Sequence, residues 1–257
     1  MSEIITKHSG SILSVQFNRP AKNNAMTSKM YITMANILND AAKDDHIHVV
    51  LWYGAGDSFC AGNDLEDLRK NITDRYYIDA QISLFNALIN FGKPLVAAVH
   101  GVAIAAGTTM LTHCDFVYAG ESAKFQMPYI NRALVPEFGT TFSVPASFGY
   151  IRAAELILLG QPFDAKRAAE LGLVTRVVPD DKLLATATEI AQKLAEKPAG
   201  ALQACKRLMK QSSREQVEQA AKNENEELSL RFYSADVKEA LNAFLEKRPP
   251  DFTRTKN

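Results

Sequence analysis

One carboxylate stands in the run FQMPYINRALVPEFGTTFSVP, whose residues are mostly apolar or small: Glu137, between Pro136 and Phe138. Desolvating a lone carboxylate is costly. Either Glu137 points to water from a loop, or it is a base held in a pocket. In a pocket, the apolar neighbours Leu134, Val135, Phe138 and Phe142 would exclude water and make the carboxylate more basic. Two other stretches carry a different chemistry. FCAGNDL (59–65) and HGVAIAAG (100–107) each follow an apolar run and lead into a helical pattern, with small residues in a row. Such turns let backbone approach a ligand closely, and their N–H groups can hold negative charge. Two of them facing one point would make an oxyanion hole. Taken singly, each is also read as an ordinary tight turn. Neither has phosphate-loop or dinucleotide-fingerprint spacing.

The elements that must position these residues are legible in outline. EIITKHSG and SILSVQFNRP read as short strands around Gly10, a plausible hairpin. Thr27-Ser28 opens a helix through SKMYITMANILNDAAKDD, and VVLWYGAG is a buried strand closed by glycines. IDAQISLFNALINF reads as helix, KPLVAAVHG as strand, GTTMLTHC as helix, DFVYAG as strand and Lys124–Gln126 as a short extended piece. From about Ser147 the chain turns helical, with the strand-like LVTRVVP as the one interruption. The expected class is α/β over the first two thirds and helical at the end. The joint falls at Pro198-Ala-Gly200, dividing residues 1–198 from 199–257.

Composition narrows the function classes. In 257 residues, Lys plus Arg balances Asp plus Glu at 29 each, which gives no support for a nucleic-acid or membrane partner. Three widely spaced cysteines (60, 114, 205) support neither a disulfide framework nor a zinc site. Reduced thiols, MSEIITKHSG without a secretory pattern and TRTKN without a peroxisomal address lead to the expectation of a cytoplasmic protein. No ligand cluster implies a metal or redox cofactor. His100 and His113 flank apolar strands and read as packed, hydrogen-bonded residues. Cys60 has no sequence neighbour that argues for a nucleophile, and KNENEELS reads as a solvated helical face or a subunit contact.

NRPAKNNAM, SFCAGNDL, KPLVAAVHGVAIAAG, CDFVYAGESAKFQMP, AAELILLG, DAKRAAELGLVTRVV and ALNAFLEKRPPDF resemble, in order and spacing, the crotonase or enoyl-CoA hydratase/isomerase superfamily. The resemblance covers almost the whole chain. It implies a spiral of β-β-α units with a helical C-terminal trimerisation region, an acyl-CoA thioester substrate and a homotrimer or dimer of trimers. It implies oxyanion donors at the N–H groups of Ala61 and Ala106. It implies CoA and substrate contacts at Lys22, Asn24, Ala25, Ala61, Gly62, Asn63, Asp64 and Leu65. Coenzyme A enters as part of the substrate, and no separate cofactor is implied. Lys22 is the expected phosphate contact, or else a solvated loop charge.

Hydratases of that family use two glutamates. One lies three residues beyond the central oxyanion residue, where this chain has Thr109. The other follows the FxxP proline, where Phe125-Gln-Met-Pro128 is followed by Tyr129. Some isomerases of the family instead carry a Pro-Glu step eight and nine residues beyond that proline, and Pro136-Glu137 occupies it without a gap. The asparagine of AGNDL is also typical of that branch. The resemblance therefore implies a 3-enoyl-CoA to 2-enoyl-CoA isomerase with Glu137 as the proton shuttle. Hydration, thioester cleavage and a non-catalytic acyl-CoA-binding protein remain open beside it. Acyl chain length is expected to depend on the pocket behind Tyr76 and Ile78. The pathway, whether unsaturated fatty-acid oxidation or aromatic-acid degradation, stays open.

Overall fold

The computed structural model describes residues 2–71 and 76–253. Strands β1 (Ile4–Ser9), β2 (Ile12–Phe17), β3 (Val49–Gly54), β4 (Leu95–Val99), β6 (Phe116–Gly120) and β9 (Arg176–Val178) form one sheet in the order β1-β2-β3-β4-β6-β9. The β1–β2 hairpin is antiparallel and the remaining pairs are parallel. β5 (Val102–Ile104), β7 (Lys124–Gln126) and β8 (Phe163–Asp164) form a second, smaller sheet. The hairpin turns at Gly10, whose φ of +56° suits glycine.

A repeated unit joins the sheets. β4 leaves the first sheet and continues through Gly101 into β5 of the second; β6 does the same into β7. The chain after β3 reaches the second layer through one bridge, Cys60 to Ala103. Each excursion then enters helical structure, which is the β-β-α spiral the sequence implies.

Apolar patterning explains the layers. VVLWYG and LVAAV are almost wholly buried, as expected of strands covered on both faces. One face packs on α1 (Ser28–Lys43) and α3 (Tyr76–Asn90) within the main core around Phe17, Trp52 and Leu84. The other face packs on α8 (Leu183–Ala195) through Val49, Leu51, Val96, Ala98 and Ala187. α1 is capped by Thr27, whose side chain accepts from the Met30 amide at 3.3 Å. Its buried residues Met30, Met34, Leu38 and Ala41 fall on one helical face.

The remaining helices are α2 (Leu65–Asn71), α4 (Ala106–Thr109), α5 (Thr140–Phe148), α6 (Tyr150–Leu158), α7 (Ala165–Leu171), α9 (Ala199–Gln211), α10 (Arg214–Arg231) and α11 (Ala235–Leu245). α5 begins at Thr140, earlier than the pattern from Ser147 predicts, and carries Pro145 inside it. A proline at that place conceals a helix from propensity arguments. Pro198 is the N-cap of α9, so the expected joint falls between two helices. Side chains bond across it: Lys206 pairs with Asp115 at 2.7 Å and donates to the Lys93 carbonyl. Among the described residues, no helix is long and apolar enough to cross a membrane.

Candidate active site

The two small-residue turns are stitched together by backbone. The Cys60 amide donates to Val102 O at 3.0 Å and the Ile104 amide to Cys60 O at 2.9 Å. A Cβ on Gly107 would lie 2.2 Å from Cys60 O, and one on Gly62 would lie 2.4 Å from Ile104 O. Each glycine therefore makes room for the opposite turn's carbonyl, and a side chain at either would push the turns apart. Ala105, just ahead of α4, holds φ +49° and ψ −119°, a strained conformation for a residue with a Cβ.

This stitching corrects one expected oxyanion donor. The Ala61 amide is occupied: it donates to Asn23 O at 2.9 Å. Two residues on, the backbone runs parallel to Met26, whose amide bonds Gly62 O and whose carbonyl accepts from Asp64. In a parallel bridge the intervening amide points away from that partner. The Asn63 amide accordingly has no acceptor among the described residues, and neither has the Ala106 amide at the start of α4.

Glu137 is buried, with 3% of its surface exposed. It is no solvated loop residue. The Tyr129 hydroxyl donates to its Oε1 at 3.0 Å, Gln81 donates Nε2–H to Oε2, and the Asn63 side-chain amide reaches both oxygens at 3.5 Å. The Asn63 orientation is set in turn. Its Oδ1 accepts from the Tyr31 hydroxyl and from Gln81 at 3.4 Å, which leaves its NH₂ to face the carboxylate. Burial raises the Glu137 carboxyl to about 7, against the lowering effect of the Tyr129, Gln81 and Asn63 hydrogen bonds. A base ionising near neutrality suits proton abstraction. Tyr31 and Tyr129 lie far above the ordinary phenol range, first through burial and then through the Glu137 charge, so both stay protonated donors.

Thr109 and Tyr129 converge on the same point. Their hydroxyls are 3.1 Å apart, and Thr109 Oγ1 also donates to Ala105 O at 3.3 Å. Where the family's hydratases are expected to carry carboxylates, this chain places two neutral hydroxyls, of which Tyr129 bonds Glu137 and Thr109 bonds Tyr129. Cys60 is buried and its thiol is pushed up to about 12, chiefly by burial, so it stands as an inert thiol.

The backbone just after Glu137 is held by two buried side chains, His113 and Glu224. Phe138 and Gly139 both adopt positive φ, +64° and +70°. The neutral His113 ring donates Nε2–H to Phe138 O at 2.8 Å. Burial lowers its pKa to about 4. Glu224 of α10 accepts from the amides of Gly139 at 2.7 Å and Thr141 at 2.6 Å, and from the Thr141 hydroxyl at 2.7 Å. It thereby caps α5 from another helix, where the N-cap residue Gly139 has no side chain. KNENEELS reads in sequence as a solvated helical face or a subunit contact, and Glu224 is neither: it is 3% exposed and bonded within the chain.

A cleft of about 590 Å³ opens beside the turns, lined by Lys22, Ala25, Ala61, Asn63, Asp64, Leu65, Arg69, Ile104, Arg132 and Phe244, among others. Six of the eight expected substrate-binding residues thus lie together. Gly62 is buried behind them and acts as a spacer. Asn24 is a correction: it is fully buried, donating to Ala55 O at 2.9 Å and Ser58 O at 2.6 Å while accepting from the Arg19 amide at 2.8 Å. It braces the first turn and cannot touch a ligand. Asp64 is largely a brace as well. Burial would raise its pKa, but the Asp67 amide, Arg19 at 2.9 Å and the Glu66 amide outweigh that and lower it. His100 Nε2 bonds Gly56 O at 2.8 Å, away from Glu137.

Other expected neighbours fall elsewhere. Phe142 lines a separate cleft with His113 and Lys206. Tyr76 is 45% exposed and Ile78 lines a third cleft, while Tyr77 turns into the core beside Tyr31. Gln81 and Tyr31 escape the sequence argument, although each has a signal: a polar group on the buried face of an otherwise apolar helix stripe.

With this geometry in place, comparison with known proteins is informative. Residues 7–255 match the family model for enoyl-CoA hydratase/isomerase. The chain is 35% identical to the 2,3-dehydroadipyl-CoA hydratase of Escherichia coli K12, over 98% of this chain and 99% of that protein. It is 34% identical to the 1,2-epoxyphenylacetyl-CoA isomerase of the same organism, with the same coverage. An enoyl-CoA hydratase/isomerase structure from Pseudoalteromonas atlantica T6c superposes with a TM-score of 0.91 at 36% identity, over 98% of this chain and 100% of that one. Relatives of both reaction types are thus similar to it over full length, and the chain belongs to the enoyl-CoA hydratase/isomerase family, with its crotonase fold.

Proposed function

We propose that the protein isomerises a 3-enoyl-CoA to the conjugated 2-enoyl-CoA with Glu137 as the single base. The supporting observation is the setting of that carboxylate: buried, ionising near 7, and held by the neutral donors Tyr129, Gln81 and Asn63. Glu137 takes a proton from C2 of the thioester. Charge spreads through the dienolate to the thioester oxygen, which the amides of Asn63 and Ala106 stabilise. The same carboxyl returns the proton to C4. Loss of one such donor costs about 10²–10³ in rate. Lys22, Ala25, Asp64 and Leu65 border the CoA path, with Lys22 and Arg69 as the cations available for phosphate.

Hydration is the second reading, favoured by the hydratase among the similar proteins. It requires a water to be deprotonated and a proton delivered to carbon, with Glu137 serving both steps. Exposed Tyr150, Ile151, Leu208 and Met209, at 62–85% exposure, support assembly into a homotrimer or a dimer of trimers. Side-by-side assays decide the chemistry. A 3-enoyl-CoA should gain the ultraviolet absorbance of a conjugated thioester. If a 2-enoyl-CoA is bleached instead and the 3-enoyl ester is inert, the isomerase reading fails.

A further inference from the structure

Arg132 lines the cleft beside the turns as a cation with no ion pair among the described residues. Its guanidinium lies 5.6 Å from the centroid of the Phe244 ring, a cation–π contact. Among the described residues no carboxylate comes within salt-bridge distance of it, whereas Asp64 and Glu66 of the same cleft are paired with Arg19 and Lys70. Its side chain is half-buried, and burial lowers its pKa, with the phenols of Tyr77 and Tyr129 acting in the opposite sense. A desolvated and unpaired guanidinium is unfavourable unless something of opposite charge completes it.

The location says which anion. Lys22 and Arg69 line the cleft with Glu66, near the first turn. Arg132 ends the 3₁₀ turn Ile130–Arg132, just beyond Tyr129, whose hydroxyl bonds Glu137 at 3.0 Å. Arg132 thus sits on the same short turn as the hydroxyl that holds Glu137. A planar guanidinium matches a carboxylate bidentately.

We infer that Arg132 is a specificity residue that binds a carboxylate carried on the acyl group of the substrate, so that the preferred ligands are CoA monothioesters of dicarboxylic acids. This rests on the acyl-CoA reading of the cleft, but not on whether the reaction is isomerisation or hydration.

Saturated esters test it, because they bind without turnover and so separate this inference from the identity of the reaction. Equilibrium binding of hexanoyl-CoA, of the six-carbon dicarboxylic acid monothioester of CoA and of free CoA is measured on wild type and Arg132→Met. Wild type is expected to prefer the carboxylate ester at least tenfold. Arg132→Met should abolish that preference and leave hexanoyl-CoA and free CoA within about twofold. Equal wild-type affinities for the two esters would overturn the inference, as would a preference that survives Arg132→Met. Equal weakening of free CoA would also overturn it, by identifying a phosphate contact. Should Arg132→Met not fold, Arg132→Lys keeps the charge but loses the fork. Its preference should fall at least threefold, and an unchanged preference refutes the proposal.

Discussion

Tyr129→Phe separates the protonation of the base from its position. In the native site the phenol donates to Glu137 Oε1 at 3.0 Å, and Thr109 keeps a second acceptor, Ala105 O, so removing the hydroxyl orphans no threonine proton. A hydrogen bond to a charged acceptor contributes about 1.5–3 kcal/mol, and one to a neutral acceptor about 0.5–1.5 kcal/mol. The difference, about 1.25 kcal/mol at the midpoints of those ranges, corresponds to about one pH unit. The phenol favours the carboxylate, so its loss raises the Glu137 pKa from about 7 to roughly 8. The ionised fraction at pH 7 then falls about fivefold. The assay is the pH profile of kcat/KM for conjugation of a 3-enoyl-CoA. The acidic limb should move upward by about one unit, giving a roughly fivefold loss at pH 7 and rates within about twofold of wild type at pH 9. A loss of equal size at both pH values would refute the reasoning, as would an unmoved limb.

Three further perturbations follow from the same geometry. Glu137→Gln should abolish turnover while retaining acyl-CoA binding, and it should stabilise the protein. The native pKa of about 7 lies above the unfolded value near 4.5, so the wild type loses stability as pH rises between them. The variant's advantage in urea denaturation should therefore grow from near zero at pH 4.5 to at most about 3.4 kcal/mol above pH 7; a constant gap contradicts this. Glu224→Ala leaves the Gly139 and Thr141 amides without their acceptor and should cost about 3 kcal/mol in chemical denaturation near pH 5, and less at pH 8, because burial raises the Glu224 carboxyl to about 7 and its charged form is disfavoured there. A cost under about 1 kcal/mol near pH 5 would mean that water caps α5 equally well. Gly107→Ala would place a Cβ 2.2 Å from Cys60 O, so the turns must part. Activity should fall at least about 10²-fold at every pH while circular dichroism stays folded, and near-native activity would remove the turns from the mechanism.

Much of the scaffold can be read from the chain because apolar periodicity dictates it. The continuous runs at 49–54 and 95–99 become central strands, and the α1 stripe becomes its buried face. The buried carboxylate at Glu137 is legible from its apolar run and its spacing from Pro128, since a position on one loop is covalently counted. What escapes is the partner that arrives from far away. Gln81 and Glu224 reach the same loop from 56 and 85 residues off, and no local pattern records that approach. The misassignment of Ala61 has the same origin. An amide's type is never in doubt, but whether it is free depends on Asn23, across a turn that sequence does not fold. Asn24 misleads for the opposite reason: a polar residue in a polar loop is bonded wholly inward.

The two interlocked turns contact each other through carbonyls, amides and missing side chains. Their spacing is consequently indifferent to which functional groups stand around them. Thr109 and Tyr129 stand beside this frame and Glu137 on the loop beyond it, so exchanging any of these side chains leaves the spacing of the turns unchanged. The site separates into a frame of main chain and a rim of side chains. Proteins 34–35% identical to this one can therefore carry out hydration in one case and isomerisation in another.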